Sequence, residues 1–412
     1  MKNYGAYKDS GIDWLGSIPS HWYLKKIKFL VSRITEQTSD MNHKNFSLTL
    51  ENIESGSGKI IGNTSFENQG VIFRKGDVLF SKLRPYLCKV VVAPNDGVGV
   101  TDLLVLRPNS NFENKFLFYR FIESLFISEV DSSTYGAKMP RASWNYFGNI
   151  KIPTPPLLEQ KQISNFLDSR THEIDGFISI YKRQIELLQE YRIVLINQAV
   201  TKGLDPNVQM KDSGIEWLGE IPSGWEIVRL KWVASIVNGS TPQSSIDEFW
   251  DGEIVWVTPS DLGKLNGYRI ISTSSKKITE SGLNSCGTTV TPKGSIILST
   301  RAPIGHLAIS SVDSCTNQGC KTITPDNNLI FNLFLYYFLF AFKDVLGSFG
   351  QGSTFLELSS QNLKDFFVLC PPFTEQKEIS YFLNEKTSKI DLFISDIIEQ
   401  INLLHEYKNS LI

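Results

Sequence analysis

The sequence predicts an α+β protein: two mixed α/β domains joined by two long antiparallel helices that form a coiled coil, with an internal pseudo-twofold repeat. Three observations predict this fold. A motif at residues 8–22, KDSGIDWLGSIPSHW, recurs at residues 211–225 as KDSGIEWLGEIPSGW. A second motif, PPLLEQKQISNFL from Pro155, recurs as PPFTEQKEISYFL from Pro371. Apolar residues at heptad spacing follow each copy of the second motif, which is typical of a long coiled-coil helix.

The composition is that of a globular protein with more than one domain. With 412 residues, of which 41% are hydrophobic and 20% charged, the chain is long enough for two or three ordinary cores. No apolar run of the kind that a secretory signal requires opens the sequence. The most apolar segment, Leu329–Phe342, is too short to cross a bilayer and predicts a buried core helix, with a counterpart at Lys115–Ile127. Five cysteines without framework spacing favour the reducing cytoplasm. A net charge of −2 neither requires nor excludes a nucleic acid.

The repeats divide the chain into four segments. Residues 1–154 contain the first copy of the motif and a first domain, and residues 155–203 form a first long helix. Residues 204–370 contain the second copy and a second domain, and residues 371–412 form a second long helix. The segment TKGLDP at residues 201–206 supplies the Gly and Pro that end the first helix.

Each long helix carries one apolar stripe, which must be buried against a partner. Arg192 and Lys408 take one slot of the stripe in each helix, and apolar residues take the others: Ile174, Ile178, Tyr181, Ile185, Leu188 and Leu195 in the first, Ile390, Ile394, Ile397, Ile401, Leu404 and Leu411 in the second. Because the two stripes share a register, we expect the helices to pair with each other in antiparallel orientation. The alternative is two independent helices, each packed on its own domain.

The tryptophans of the duplicated motif allow two interpretations. Trp14, Trp22, Trp217 and Trp225 lie among Ile, Leu and Pro residues. Large aromatic residues in such surroundings are usually packed, so we expect anchors that fix each domain to the helices or to a partner protein. The alternative is stacking on bases, which requires unpaired nucleotides.

The two motifs, in this order and each present twice, resemble the specificity subunit of a type I restriction–modification enzyme over essentially the whole chain. The resemblance implies two target-recognition domains, each reading one half of a bipartite, asymmetric DNA site, with the antiparallel helices setting the spacer. It also implies two modification (methyltransferase) subunits docked on the chain, joined by restriction (translocase–nuclease) subunits. In one departure, the sequence stops at Leu411-Ile412 where the first helix continues as INQAVTKGL, so we expect a weakened closing turn.

The resemblance further implies a chain that is not an enzyme and holds no cofactor. S-adenosylmethionine, ATP and magnesium would be bound by the partner subunits, which carry the adenine methyltransferase and endonuclease activities. Two alternatives from other classes stay open: a coiled-coil adaptor without DNA contact, and another bipartite DNA-binding protein without restriction–modification partners. No membrane association is expected.

Loops of the two domains carry the groups that read DNA. KGDVLFSKLRP at residues 75–85 aligns with KGSIILSTRAP at 293–303, and GAKMPRASW at 136–144 aligns with GSTFLELSS at 352–360. Arg can pair with guanine, Asn or Gln with adenine, and Lys and Ser with phosphates. The DNA-binding candidates are Lys82, Arg84, Tyr86, Lys138 and Arg141 in the first domain, and Arg301, Asn317, Gln318, Lys321, Gln351 and Ser353 in the second. For each residue the alternative is a solvated loop position or a structural hydrogen bond.

Patterns that resemble catalytic motifs are incomplete. GSGK at residues 56–59 lacks the first Gly and the final Ser or Thr of a phosphate-binding loop. CPPF at residues 370–373 lacks the Asn or Asp of an amino-methyltransferase signature. The nuclease-like spacing of Asp365 and Glu375 is not repeated in the first half, where Asn149 replaces the Asp. His306, Cys315 and Cys320 lack zinc-ligand spacing and a fourth ligand. We therefore predict no catalytic residue and no metal site.

Overall fold

Two compact units make up the chain in a computed structural model, which describes residues 4–39, 46–62, 69–136, 138–265, 269–301, 303–351 and 356–412. The first unit comprises Met1–Lys182 together with Ile398–Ile412, and the second comprises Arg183–Ile397.

Over its described residues, the first unit combines short strands with three short helices, the first part of one long helix and the last part of another. Its strands are β1 Tyr7–Asp9, β2 Ser17–Pro19, β3 Tyr23–Lys26, β4 Val31–Ile34, β5 Gln37–Thr38, β6 Ser47–Leu48, β7 Gly70–Phe73, β8 Val78–Ser81, β9 Val90–Val92, β10 Gly97–Gly99, β11 Leu103–Pro108 and β12 Lys151–Thr154. Its helices are α1 Asn114–Ile122, α2 Ser124–Ser132, α3 Trp144–Phe147, the portion of α4 Leu157–Lys202 up to residue 182 and the portion of α11 Phe373–Leu411 from residue 398. One-turn 3₁₀ helices lie at Ile27–Phe29, Leu50–Asn52 and Pro85–Leu87.

Two four-stranded sheets support the first unit. Their strand orders are β5-β7-β10-β6 and β4-β11-β8-β9, and β1-β2 and β12-β3 form separate pairs. Strand β8 is buried along its whole length, which suits its continuous apolar run VLF. The main core packs β8, β11 and the Phe-rich helices α1 and α2, with Phe80, Phe121 and Phe147 in ring contact. The apolar segment at Lys115–Ile127 is largely buried, as predicted, but it is not one helix: extended backbone at Glu123 divides it between α1 and α2.

The second unit repeats this plan with its own loops. Its strands are β13 Met210–Asp212, β14 Glu220–Pro222, β15 Glu226–Arg229, β16 Ala234–Asn238, β17 Trp250–Val257, β18 Ile270–Ile271, β19 Lys277–Ile278, β20 Ile296–Ser299, β21 Leu307–Ser310, β22 Ser314–Thr316, β23 Cys320–Pro325 and β24 Phe367–Cys370. Its helices are α5 Leu230–Val233, α6 Pro259–Gly263, α7 Glu280–Asn284, α8 Asn332–Ala341, α9 Lys343–Ser348, α10 Ser360–Asp365 and parts of α4 and of α11 Phe373–Leu411. A 3₁₀ turn lies at Asp247–Phe249.

The second unit is built on a five-stranded sheet of order β16-β23-β20-β21-β18 and a three-stranded sheet of order β19-β17-β22. Strands β13-β14 and β15-β24 form separate pairs. Helix α8 lies in the predicted apolar segment, and Phe334, Tyr337 and Phe338 are buried in its core. Of the described residues, no helix is long and apolar enough to cross a membrane.

A buried glutamine fixes the start of each long helix to its own domain. In the first unit the Gln160 side chain donates to Pro155 O (2.8 Å) and accepts the backbone N–H of Glu113 (2.9 Å). In the second unit Gln376 donates to Pro371 O (2.9 Å) and accepts the N–H of Phe331 (2.7 Å). The Pro-Pro-x-x-x-Gln pattern thus satisfies backbone groups that burial would otherwise leave unpaired.

Portions of α4 and α11 run antiparallel inside each unit. In the first unit Lys408 Nζ lies 2.6 Å from Asp175 Oδ1, and Leu411 and Ile412 pack against the cluster that contains Leu167. In the second unit Arg192 Nε lies 3.6 Å from Asp391 Oδ1, and Ile196 packs with Leu383. Asp391 and Lys408 are the repeat counterparts of Asp175 and Arg192. The predicted α+β fold with paired antiparallel helices is confirmed.

Candidate nucleic-acid interface

In the first unit, three basic candidates lie around the loop that follows β8. The guanidinium of Arg141 donates to both carboxylate oxygens of Asp102, at 3.2 and 3.3 Å. These hydrogen bonds raise the pKa of Arg141, which therefore stays charged. Lys82 Nζ lies 3.9 Å from the same carboxylate and donates to Thr101 O at 2.7 Å. Arg84 has a left-handed backbone, with φ at 49°, and its N–H donates to Pro140 O at 2.8 Å.

The remaining candidates of the first unit are open to solvent. Tyr86 is 52% exposed in the 3₁₀ turn after Arg84, and Lys138 is exposed in the loop that leads to Arg141. Backbone hydrogen bonds between this loop and the one after β8, such as Ala142 N to Lys82 O at 2.9 Å, hold the two loops together. The structure therefore places all five candidates on two adjoining loops.

In the second unit, four candidates line one cleft of about 500 Å³: Arg301, Gln318, Lys321 and Gln351. The cleft also contains Glu357, whose Oε2 lies 2.8 Å from Arg301 Nη2. Lys321 lies near the start of the buried strand β23 and is only 5% exposed. Burial lowers the pKa of its amine, the charge of Glu357 raises it, and the charge of Arg301 lowers it. The cleft therefore joins two cations and one carboxylate.

Two candidates of the second unit are placed differently. The side-chain oxygen of Asn317 accepts the N–H of Gly319 at 3.0 Å, so its amide stabilises a turn beside the cleft. Ser353 lies outside the described residues. Gln318 is exposed, and its side-chain oxygen accepts a hydrogen bond from the hydroxyl of Thr241.

Sequence reasoning missed the two carboxylates that pair with these arginines, Asp102 and Glu357. Asp102 is separated from Arg141 by 39 residues and Glu357 from Arg301 by more than 50, so no local pattern links the partners. One signal was present in the repeat: Glu357 stands at the position of the second repeat that Arg141 occupies in the first.

The four motif tryptophans make packing contacts. Trp217 stacks on Phe366 with ring centroids 5.2 Å apart, and Trp14 meets Phe126 edge to face at 6.3 Å. Trp225 is 2% exposed, and its indole N–H donates to Glu375 at 3.0 Å. Trp22 is half-buried and donates to Glu159, the counterpart of Glu375, at 3.1 Å. An anchoring role for the four residues stays a prediction.

The sequence profile described as "Type I restriction modification DNA specificity domain" matches residues 26–186 and 222–403. These two matches cover most of both repeats. The chain belongs to this family. It is accordingly a type I specificity subunit, and the resemblance drawn from the duplicated motifs is confirmed, as is the prediction of a non-catalytic subunit.

Curated relatives of this specificity subunit include two from Methanocaldococcus jannaschii. The type I restriction enzyme MjaIX specificity subunit is 36% identical over 185 residues, which cover 44% of this chain and 40% of the relative. The putative MjaX specificity subunit is 27% identical over 389 residues, which cover 89% of this chain and 87% of the relative. The first of these matches therefore spans less than half of either protein.

Solved structures share the fold of the specificity subunit. A chain from work on complex assembly and conformational transition of the type I R-M system superposes with a TM-score of 0.79. It is 20% identical, with 96% of this chain and 97% of that chain covered. The HsdS subunit from Thermoanaerobacter tengcongensis gives a TM-score of 0.57 at 20% identity, with 96% of each chain covered.

The two cysteines considered as zinc ligands, Cys315 and Cys320, belong to the hydrophobic cores. Cys315 and Cys320 are buried, and burial raises the pKa of the Cys315 thiol to about 11, so it stays protonated near neutral pH. Within the described ranges, no group of three or more His, Cys, Asp or Glu residues is placed to hold a metal ion.

Proposed function

We propose that this specificity subunit binds a bipartite, asymmetric site on double-stranded DNA, and that each domain reads one half. Residues 1–154 and 204–370 would act as the two target-recognition domains, and residues 155–203 and 371–412 as the spacer helices. The observation that carries this proposal is a backbone frame, three residues joined by isolated antiparallel bridges, that recurs in both units with different charged groups: Arg141 with Asp102 in the first unit, Arg301 with Glu357 in the second. Two similar frames that present different side chains suit two different half-sites.

Exposed apolar residues on the long helices support docking of two modification subunits. In the first unit Phe177, Leu403 and Tyr407 are each about half exposed. In the second unit their repeat counterparts, Phe393, Leu187 and Tyr191, are exposed to the same degree. Apolar patches of this kind mark protein interaction sites. Because the same set occurs once in each unit, it fits two copies of one partner.

The rest of the proposed complex follows from the family resemblance. Restriction subunits would join the two modification subunits for cleavage. S-adenosylmethionine, ATP and magnesium would bind to those partners and not to this chain. A subunit that reads cellular DNA in this way would work in the cytoplasm.

A domain exchange tests the proposed function. The full chain, combined with a type I modification subunit from the same host, should select one bipartite motif from a pool of randomised duplexes. Replacing residues 23–150 with the corresponding segment of another specificity subunit should change one half of that motif and leave the other intact. Selection without any sequence preference, or a change in both halves, would contradict the proposal.

The exposed apolar sets also favour a second candidate, a coiled-coil adaptor that joins two copies of a partner without contacting DNA. Reversal of charge at Arg84 and Arg301 separates the candidates. An adaptor would bind its partners as before. A DNA-reading subunit would lose affinity, and the dependence of its binding on salt would become weaker.

A further inference from the structure

In each unit, backbone bridges join three residues of the candidate DNA-binding loops, and we call this set the frame. In chain order its first, second and third residues are Leu83, Tyr135 and Arg141 in the first unit, and Arg301, Gln351 and Glu357 in the second. In the first unit Arg141 forms isolated antiparallel bridges with Leu83 and with Tyr135. In the second unit Glu357 forms the equivalent bridges with Arg301 and Gln351. The hydrogen bonds of the second frame, Gln351 N to Glu357 O and Glu357 N to Gln351 O, are both 2.9 Å long. Main-chain groups therefore hold the frame, and its side chains are free to differ.

Each frame contains one arginine, but at a different one of its three positions. In the first unit it belongs to the third residue, Arg141, and its carboxylate comes from Asp102 on a neighbouring loop. In the second unit it belongs to the first residue, Arg301, and the third residue supplies the carboxylate. Asp102 has Gly319 as its counterpart in the second unit. Lys82, the residue after β8, donates its N–H to Asp102 O, and Thr300, the residue after β20, donates its N–H to Gly319 O. Each unit therefore builds an arginine–carboxylate pair from different positions.

These pairs do little for the stability of the fold. The side chains of Arg301 and Glu357 are 45% and 36% exposed, and ion pairs at that exposure contribute little to stability. A carboxylate can nevertheless hold an arginine side chain in one orientation before a ligand arrives, which lowers the entropy lost on binding. The planar guanidinium presents a fork of two donors to O6 and N7 of guanine, which the ammonium of lysine does not.

Lys321 adds positive charge to the cleft, which favours the binding of DNA. Glu357 supplies the one carboxylate among the described residues that line the cleft, so it and the cations Lys321 and Arg301 together carry a net positive charge while the amine is protonated. A buried amine is unfavourable for folding, and such groups are concentrated at functional sites.

We infer that Arg301 reads a guanine in the second half-site and that Glu357 is the positioning residue that orients it, with Arg141 and Asp102 in the same two roles for the first half-site. This inference rests on the proposed function. It adds the base that each domain recognises through this frame and the carboxylate that makes recognition possible.

Motif selection with conservative variants tests the inference. The full chain with its modification subunit is incubated with a pool of randomised duplexes, and the bound DNA is sequenced. In Arg301→Lys the charge is kept and the fork is lost, so preference for guanine at one position of the second half-site should fall about 10- to 100-fold. Glu357→Gln should lower the same preference about 3- to 10-fold, because orientation is lost while the guanidinium remains. Arg141→Lys should act only on the first half-site.

A matched ion pair in the second unit provides the control. Asp365 pairs with Arg229 and with Lys231, both at 2.7 Å, its side chain is 30% exposed, and it is not among the residues that line the cleft. Asp365→Asn should leave the motif unchanged, and thermal unfolding of all variants shows whether any loss reflects misfolding. If Arg301→Lys does not fold, the Glu357→Gln result alone decides.

The possible outcomes separate the two proposals. A wild-type chain that selects no sequence would overturn the proposed function. A wild-type chain that selects a bipartite motif, while Arg301→Lys and Glu357→Gln keep its full guanine preference, would overturn only the inference. Loss of preference for a base other than guanine would overturn it as well.

Discussion

Trp22 and Trp225 occupy the same position of the duplicated motif but differ in their surroundings. Trp225 is almost fully buried, meets Phe334 edge to face and packs in the main core of the second unit. Trp22 is half-buried, and its carboxylate partner Glu159 also accepts hydrogen bonds from Tyr4 and His21. The same residue type therefore removes more apolar surface from water in the second copy.

Alanine substitutions should reveal this difference as a difference in stability. Trp225→Ala should lower the free energy of unfolding by about 3–5 kcal/mol, as expected for a buried tryptophan. Trp22→Ala should lower it by about 1–2 kcal/mol, because less surface and a shared hydrogen bond are lost. Urea unfolding of the two variants provides the comparison. Equal losses would contradict the burial argument.

Lys321 should show an opposition between stability and binding. Because burial lowers the pKa of its amine below the ordinary 10.5, the folded state disfavours the charged form more than the unfolded state does. This penalty is complete below the folded-state pKa and disappears as the pH rises through that pKa towards 10.5. Lys321→Met should therefore raise the unfolding midpoint near neutral pH, by an amount that shrinks in alkali, while DNA affinity falls. A lower midpoint near neutral pH would show that the amine stabilises the fold.

At the scale of elements, the paired helices are held in the first unit by a three-way ion cluster. Asp175 of α4 receives Lys408 of α11 at 2.6 Å and Lys59 of the first domain at 3.1 Å. Partial burial opposes ionisation of Asp175, but the hydrogen bonds from the two lysines outweigh it and hold its pKa below the ordinary 3.8. The ionised carboxylate therefore stabilises the folded unit above its ordinary pKa, and this stability is lost as the pH falls through the lowered value.

Asp175→Asn should cost about 1 kcal/mol near pH 7 and less at the lowest pH at which the wild type still folds, because the wild-type carboxylate becomes protonated as the pH falls through its lowered pKa. Thermal unfolding at both pH values measures the difference. The repeat counterpart is the control: Asp391 is 47% exposed and 3.6 Å from Arg192, so Asp391→Asn should change stability by less than about 0.5 kcal/mol at either pH. A deficit in Asp175→Asn that persists in acid would indicate a packing defect.

Much of this architecture could be predicted from the sequence because both motifs occur twice, and alignment of the two copies shows which segments are equivalent. The heptads of α4 and α11 share a register, and an apolar stripe has few ways to be buried. The loops that carry Arg141 and Arg301 followed from alignment of the two halves. The pairing of these arginines with Asp102 and Glu357 did not, because contacts between residues far apart in sequence depend on tertiary packing. The unequal burial of Trp22 and Trp225 could not be predicted either, because burial depends on the residues that pack around each tryptophan and the two motifs are nearly identical.

At the scale of the whole molecule, the proposed spacer function makes a mechanical prediction. One heptad inserted into each long helix, at equivalent positions, lengthens each by about 10 Å at 1.5 Å per residue. With base pairs about 3.4 Å apart, the spacer between the half-sites should grow by about three base pairs while both half-sites stay the same. Motif selection measures the spacer directly. An unchanged spacer would show that the helices do not set it.

The two ion pairs between α4 and α11, Asp175 with Lys408 and Arg192 with Asp391, have a consequence for a single repeat. Asp175 and Arg192 belong to one repeat, and each meets the opposite charge from the other repeat. A single repeat therefore carries both halves of the contact, so two copies of it are complementary to each other in the manner of a twofold homodimer. We expect residues 1–203, produced alone, to sediment as a dimer. If the proposed function holds, such a dimer would present two identical domains and bind a palindromic site.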